Sequence, residues 1–131
     1  LPPPICAAAT AAIRHLKTST WERERHQDRA ALLKAVLNTA GLPVMPTDTH
    51  IVPVFVGDAE RCKKASDLLL EKHGIYIQPI NYPTVAKGKE RLRITPSPYH
   101  DDDLMDRLAE ALVDVWETLE LPLGAKPLAA E

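Results

Sequence analysis

This sequence lacks the features that would place it in several large classes. No stretch stays apolar for the ~18 to 20 residues that a membrane-spanning helix needs. No basic segment followed by an apolar core opens it, so no signal peptide is visible. Cysteine is scarce: Cys6 and Cys62 are the only two, and they have no metal-ligand spacing. Both are expected to be free, mostly buried thiols in a reducing compartment. An excess of charge is missing too. The formal net charge of -2 gives no electrostatic case for nucleic acid or for an anionic membrane. There is no zinc-spaced His/Cys/Asp/Glu cluster, no G-x-G-x-x-G, no P-loop and no G-x-S-x-G. No internal repeat appears, and no low-complexity segment beyond a short Ala-rich run. An initiating methionine is absent as well. The chain opens Leu1-Pro2-Pro3-Pro4, which reads as a processed start or as a piece of something larger.

What remains is ordinary globular material. With 131 residues, 45% hydrophobic and 26% charged, the chain is long enough for one domain with a real core. Pro4 to Lys17 predicts a helix, since prolines are tolerated in a first turn. Its run Cys6 to Ala12 has little side-chain bulk, so it needs a large partner to bury anything. Thr18, Ser19 and Thr20 offer caps for a second helix reaching about Ala40, with Leu33, Val36 and Leu37 on its inner face. Gly41 and Pro43 end it. Leu42 to Met45 is a possible small strand.

His50 to Val56 predicts a buried strand, with Pro53 arguing for an edge or a bulge. Asp58 caps a helix over about Ala59 to His73, and Gly74 ends it. Ile75 to Gln78 predicts a short strand, Pro79 to Glu90 a loop, and Arg91 to Thr95 another strand. After Pro96 and Pro98, the acidic run Asp101–Asp103 suits a helix N-terminus. The last helix runs to about Leu119, with Leu104, Leu108, Leu112, Val115 and Leu119 predicted as its inner face. Trp116 reads as core or interface, and the tail after Pro122 as frayed. The order is αα(β)βαββα. It predicts a small, mainly antiparallel sheet with helices on one face, an α/β sandwich of α+β type.

The chemistry concentrates in Gly74 to His100. Arg91 and Arg93 stand two apart on the same face of a strand. A guanidinium held there is a planar fork that can grip a carboxylate or phosphate bidentately. From the pattern alone a surface arginine on the solvent face is the commoner outcome, and periodicity does not rank Arg91 against Arg93. Thr84 follows Pro83, which fixes the backbone beside it. Its hydroxyl can serve a ligand carboxylate or simply occupy a turn. His50 and His100 sit at element boundaries, and His15, His26 and His73 look like solvated helix positions.

The blocks Gln78-Pro79-Ile80-Asn81-Tyr82-Pro83-Thr84-Val85, Glu90-Arg91-Leu92-Arg93 and Thr95-Pro96-Ser97-Pro98, with His100, carry a resemblance. So do Leu1-Pro2-Pro3, Arg14 to Lys17, Thr49 to Val54 and Gly57-Asp58. Together they resemble the C-terminal domain of the 5-aminolevulinate synthase family, in its bacterial form. That family belongs to the α-oxoamine synthase group of fold type I pyridoxal-phosphate enzymes. The resemblance implies residues 1–19 as a linking helix from an absent large domain and residues 20–131 as the C-terminal small domain. It implies a cytoplasmic, homodimeric parent in tetrapyrrole (heme) biosynthesis. The family reaction condenses glycine with succinyl-CoA on pyridoxal phosphate, giving 5-aminolevulinate, CoA and carbon dioxide.

By resemblance, Arg93 holds the glycine carboxylate and Thr84 lies in the acyl-substrate part of the site. The glycine-rich block with the Schiff-base lysine is missing, as are the residues that contact the cofactor ring and phosphate. The chain alone is therefore expected to bind no pyridoxal phosphate and to be inactive. It carries no catalytic, cofactor-binding or metal-binding residue of its own in this reading. A sister α-oxoamine synthase and a free-standing small-molecule-binding regulatory module are the alternatives.

Overall fold

The computed structural model describes residues 1–123. Four helices and three strands follow the order α1 (Pro3–Thr18), α2 (Trp21–Thr39), β1 (Val52–Phe55), α3 (Ala59–His73), β2 (Gln78–Ile80), β3 (Arg91–Ile94) and α4 (Asp102–Thr118). The sheet order is β1-β3-β2, and both pairings are antiparallel. This is the mixed α/β sandwich that the sequence predicts. No described helix is long and apolar enough to cross a membrane.

Alternation along the strands decides which side is core. Val52, Val54, Leu92 and Ile94 point inward and are buried, while Pro53, Phe55, Arg91 and Arg93 share the other face. The expected continuous burial of β1 is thus halved, because no described element covers its outer face. Helix α2 packs on β1, α3 on β2 and β3, and α4 on both α2 and α3. Leu33, Leu37, Leu69, Leu92, Leu112 and Trp116 are the large side chains fully enclosed among these layers.

Pro53 is accommodated as an edge residue should be. Met45 N donates to Pro53 O at 2.9 Å and Phe55 N to Pro43 O at 3.0 Å, so alternate residues of β1 bond away from β3. The missing N–H of Pro53 falls on that side and costs no β1–β3 bond. The predicted strand at Leu42–Met45 is reduced to one bridge, Val44 to Val54.

Helix ends follow from local chemistry. Asp58 Oδ1 accepts from Arg61 N at 2.8 Å and Asp101 Oδ1 from Leu104 N at 2.9 Å, each satisfying an orphan N–H of a first turn. Gly74, at φ 68°, closes α3 in the left-handed conformation. The α2 start differs from expectation. Thr20 is the N-cap residue but makes no side-chain cap, while Ser19 Oγ donates to Glu22 at 2.6 Å.

Three further expectations are corrected. The strand predicted at Ile75–Gln78 forms at Gln78–Ile80 instead. Ser66 Oγ donates to Ile77 O at 2.6 Å, holding that carbonyl against α3 rather than in a ladder. The buried face of α4 carries Met105, Ala109, Leu112, Val115 and Trp116, whereas Leu104 is 43% exposed. Cys6 is exposed, because α1 buries no residue among the described ones; Cys62 is buried, and both are free thiols. The tail from residue 124 onward lies outside the described residues.

Candidate functional site

Arg93 sits on the central strand, paired with Pro53 on one side and Gln78 on the other. A central strand is held by two ladders, so the Cα of this residue is fixed more firmly than any edge position. The structure separates it from Arg91. Arg91 Nε donates to Lys89 O at 3.0 Å, and the side chain is half-buried. Arg93 is exposed, and its guanidinium makes no hydrogen bond or ion pair among the described residues.

Beside Arg93 lies a groove of about 430 Å³, reaching from β3 across β2 to the first turns of α4. Arg93, Gln78, Thr95, His100 and Arg107 supply its polar wall, and Leu104, Leu108, Ile75 and Ile77 its apolar wall. Ser97 N donates to His100 Nδ1 at 3.2 Å. A neutral imidazole in that bond carries its proton on Nε2, which makes the second nitrogen a donor.

Thr84 is not among the residues lining this groove. It is exposed in the turn that begins at Asn81, and its N–H donates to Asn81 O at 2.9 Å. The loop leaves β2 at Ile80, which pairs with Arg91. Thr84 therefore lies off the Arg91 end of β3, and the described residues do not bring it into one cavity with Arg93. The loop returns through Glu90, which is only 3% exposed. Glu90 O accepts from Val56 N and Gly57 N, at 2.9 and 3.0 Å. Glu90 Oε2 is buried without a partner, as is Asn81 Oδ1, so an orphan acceptor stands at each end of the Thr84 loop.

The Cys62 thiol lies near this junction. Burial pushes it up to about 11, and the carboxylates of Glu90 and Asp58 add to the rise. A thiol held protonated in this way is a poor nucleophile. His26 and His73 are half-buried rather than solvated, whereas His15 is exposed as expected. His73 Nε2 lies 2.8 Å from Asp114 Oδ2, and the His26 and His50 rings pack with centroids 4.6 Å apart.

Arg107 and Glu90 escaped the sequence reading. Placing Leu104 on the inner face of α4 hid the groove, and nothing in the residue type marks Glu90 as buried. Among the described residues no lysine lines the groove and no group of His, Cys, Asp or Glu is disposed to hold a metal. The described residues do not by themselves fit a cofactor held through a lysine amine.

Both the fold and the sequence of this domain match a known class. Residues 1–112 match aminotransferase class I and II, and the chain belongs to that family. It is 79% identical over all 131 residues to 5-aminolevulinate synthase of Bradyrhizobium diazoefficiens, covering 32% of that protein. It is 54% identical over 121 residues to that of Rhizobium meliloti, covering 92% of this chain and 30% of the relative. Among solved structures it is similar to serine palmitoyltransferase from S. paucimobilis, with TM-score 0.80 and 27% identity, covering 92% of this chain and 30% of the other. That structure was solved with PLP and myriocin bound, and it places the fold among fold type I pyridoxal-phosphate enzymes. The chain thus spans about a third of the length of the curated relatives it matches.

Proposed function

We propose that this chain is the C-terminal domain and linking helix of an enzyme that condenses glycine with succinyl-CoA, giving 5-aminolevulinate, CoA and carbon dioxide. Residues 1–19 are the linker and residues 20–131 the small domain. The single observation that carries the reading is the unpartnered guanidinium of Arg93 on the central strand, in a chain so similar to 5-aminolevulinate synthases. Arg93 grips the glycine carboxylate as a two-pronged fork. Fixing that group orients the Cα–H bond for proton removal, and such positioning is worth several kcal/mol. Thr84 belongs to the acyl-substrate wall, on a loop that moves toward Arg93 when substrate binds.

Pyridoxal phosphate is the cofactor of the parent enzyme and would supply the carbanion stabilisation. The residues that hold it lie in the part of the relatives that this chain does not span. The parent is a cytoplasmic homodimer. The test is to assay the parent enzyme with glycine, serine and alanine against succinyl-CoA and longer acyl-CoA thioesters. Glycine with succinyl-CoA is expected to give the highest kcat/KM. A larger amino acid as best substrate would move the chain to a sister α-oxoamine synthase. The 131-residue chain alone is expected to form no 5-aminolevulinate.

A further inference from the structure

The base of the Thr84 loop is made of two side chains that face one another and cannot bond. Ile80 stands opposite Arg91 in the β2–β3 ladder, so Asn81 and Glu90 are the next pair along it. The Glu90 carbonyl is turned toward β1, where Val56 N and Gly57 N donate to it. Glu90 and Asn81 therefore face each other as a non-hydrogen-bonded pair, the kind whose side chains come closer. Alternation from Leu92 puts Glu90 on the helix side of the sheet, where it is buried. Asn81 points the same way, since its Nδ2 donates to Ala59 O on α3 at 3.1 Å. That bond uses the donor end of the amide and leaves Oδ1 as the free end. Glu90 Oε2 and Asn81 Oδ1 are both buried, and no described residue donates to either. Turning the amide over would set Oδ1 against Ala59 O, so exchanging its ends does not remove the mismatch. Beyond this pair, residues 82–89 are exposed apart from half-buried Val85.

We propose that Asn81 and Glu90 are positioning residues for the acyl-substrate step, two opposed acceptors that weaken the base of the Thr84 loop where it has to swing. This rests on the reading above, which puts Thr84 on the acyl-substrate wall. A buried acceptor without a donor raises the free energy of the arrangement that buries it. Here that arrangement is the one that keeps Thr84 out of the groove beside Arg93. Movement that brings water or a loop N–H to the pair relieves the mismatch, so the loop leaves this position readily. A donor and an acceptor at the same two places would bond, and would hold the loop where it lies.

Glu90→Gln tests this, because it keeps the shape and turns one acceptor into a donor for Asn81 Oδ1. In the 131-residue chain it is expected to raise the urea midpoint. Amide exchange at Thr84 and Val85, whose N–H groups donate to Asn81 O, should slow about two- to tenfold, the net contribution of one hydrogen bond. Asn81→Ala in the Glu90→Gln background should abolish both gains. In the parent enzyme Glu90→Gln should lower kcat severalfold and leave the KM for glycine unchanged, measured with whichever acyl-CoA thioester the unsubstituted parent turns over fastest. A role in stability alone would not move kcat. A lowered urea midpoint, a gain that survives Asn81→Ala, or an unchanged kcat would each overturn the proposal. The unsubstituted parent's choice of amino acid and acyl group tests the glycine reading separately, so the two failures are told apart.

Discussion

His73 at the end of α3 and Asp114 on α4 are joined at 2.8 Å, with Lys72 adding a second, longer contact to the same carboxylate. The bond from His73, and then Lys72, holds the Asp114 carboxyl below the usual carboxylate range. A depressed folded value contributes stability above the unfolded pKa and loses it as pH falls through the folded one. The thermal stability of the chain should therefore exceed that of Asp114→Asn at neutral pH. The gap should close progressively below about pH 4. Melting curves of both proteins from pH 7 to 2 check this. A gap that widens toward low pH would contradict it.

Gly57 and Phe55 touch across a tight turn. A Cβ added at Gly57 would meet Phe55 Cζ at 2.8 Å, whereas one at Gly74 or Gly88 meets nothing within 4 Å. All three have positive φ. Alanine at Gly74 or Gly88 is expected to cost about 1 to 2 kcal/mol from the left-handed backbone alone. At Gly57 the Phe55 ring must also shift, so the cost there is expected to be at least as large as at the other two. Urea unfolding of the three variants checks the order.

Leu104 and Leu112 look alike in the sequence pattern and differ in the fold. Leu112 is 0% exposed and Leu104 43%. Leu112→Ala is expected to cost about 2 to 5 kcal/mol and Leu104→Ala about 0.5 kcal/mol or less. Equal losses would mean that the α4 face is misplaced.

Cys6 is exposed and Cys62 fully buried with its thiol pushed up to about 11. A thiol-reactive chromophore at pH 8 should modify one equivalent quickly. The second should react only on unfolding, and peptide mapping should find the fast adduct on Cys6. Rapid modification of Cys62 would show that the α3–sheet interface opens readily.

Much of this architecture was legible because strong local signals agreed with the tertiary fold. The Asp58 cap and the Gly74 stop gave α3 its observed ends, since both act through the backbone of the helix itself. The inner face of α4 was not legible. Leu104, Leu108, Leu112, Val115 and Leu119 form one plausible seam, and Met105, Ala109, Leu112, Val115 and Trp116 form another, which shares Leu112 and Val115 and is shifted by one residue over the first two turns. The choice between them depends on which neighbours α2 and α3 present, and spacing holds no record of that. Strand β2 slipped for a similar reason: a side chain on α3, Ser66, claims the carbonyl of Ile77. Arg91 and Arg93 could not be ranked by period, because a two-residue repeat places them on the same face. The bond from Arg91 to Lys89 O distinguishes them.

The central claim is that Arg93 holds the glycine carboxylate, and Arg93→Lys in the parent enzyme tests it most directly. Lysine keeps the charge and loses the planar fork. Steady-state kinetics should show the KM for glycine rising about ten- to hundredfold, the loss of roughly 1.5 to 3 kcal/mol of charge-assisted bonding, with the KM for succinyl-CoA little changed. A glycine KM equal to that of the unsubstituted enzyme would contradict the account.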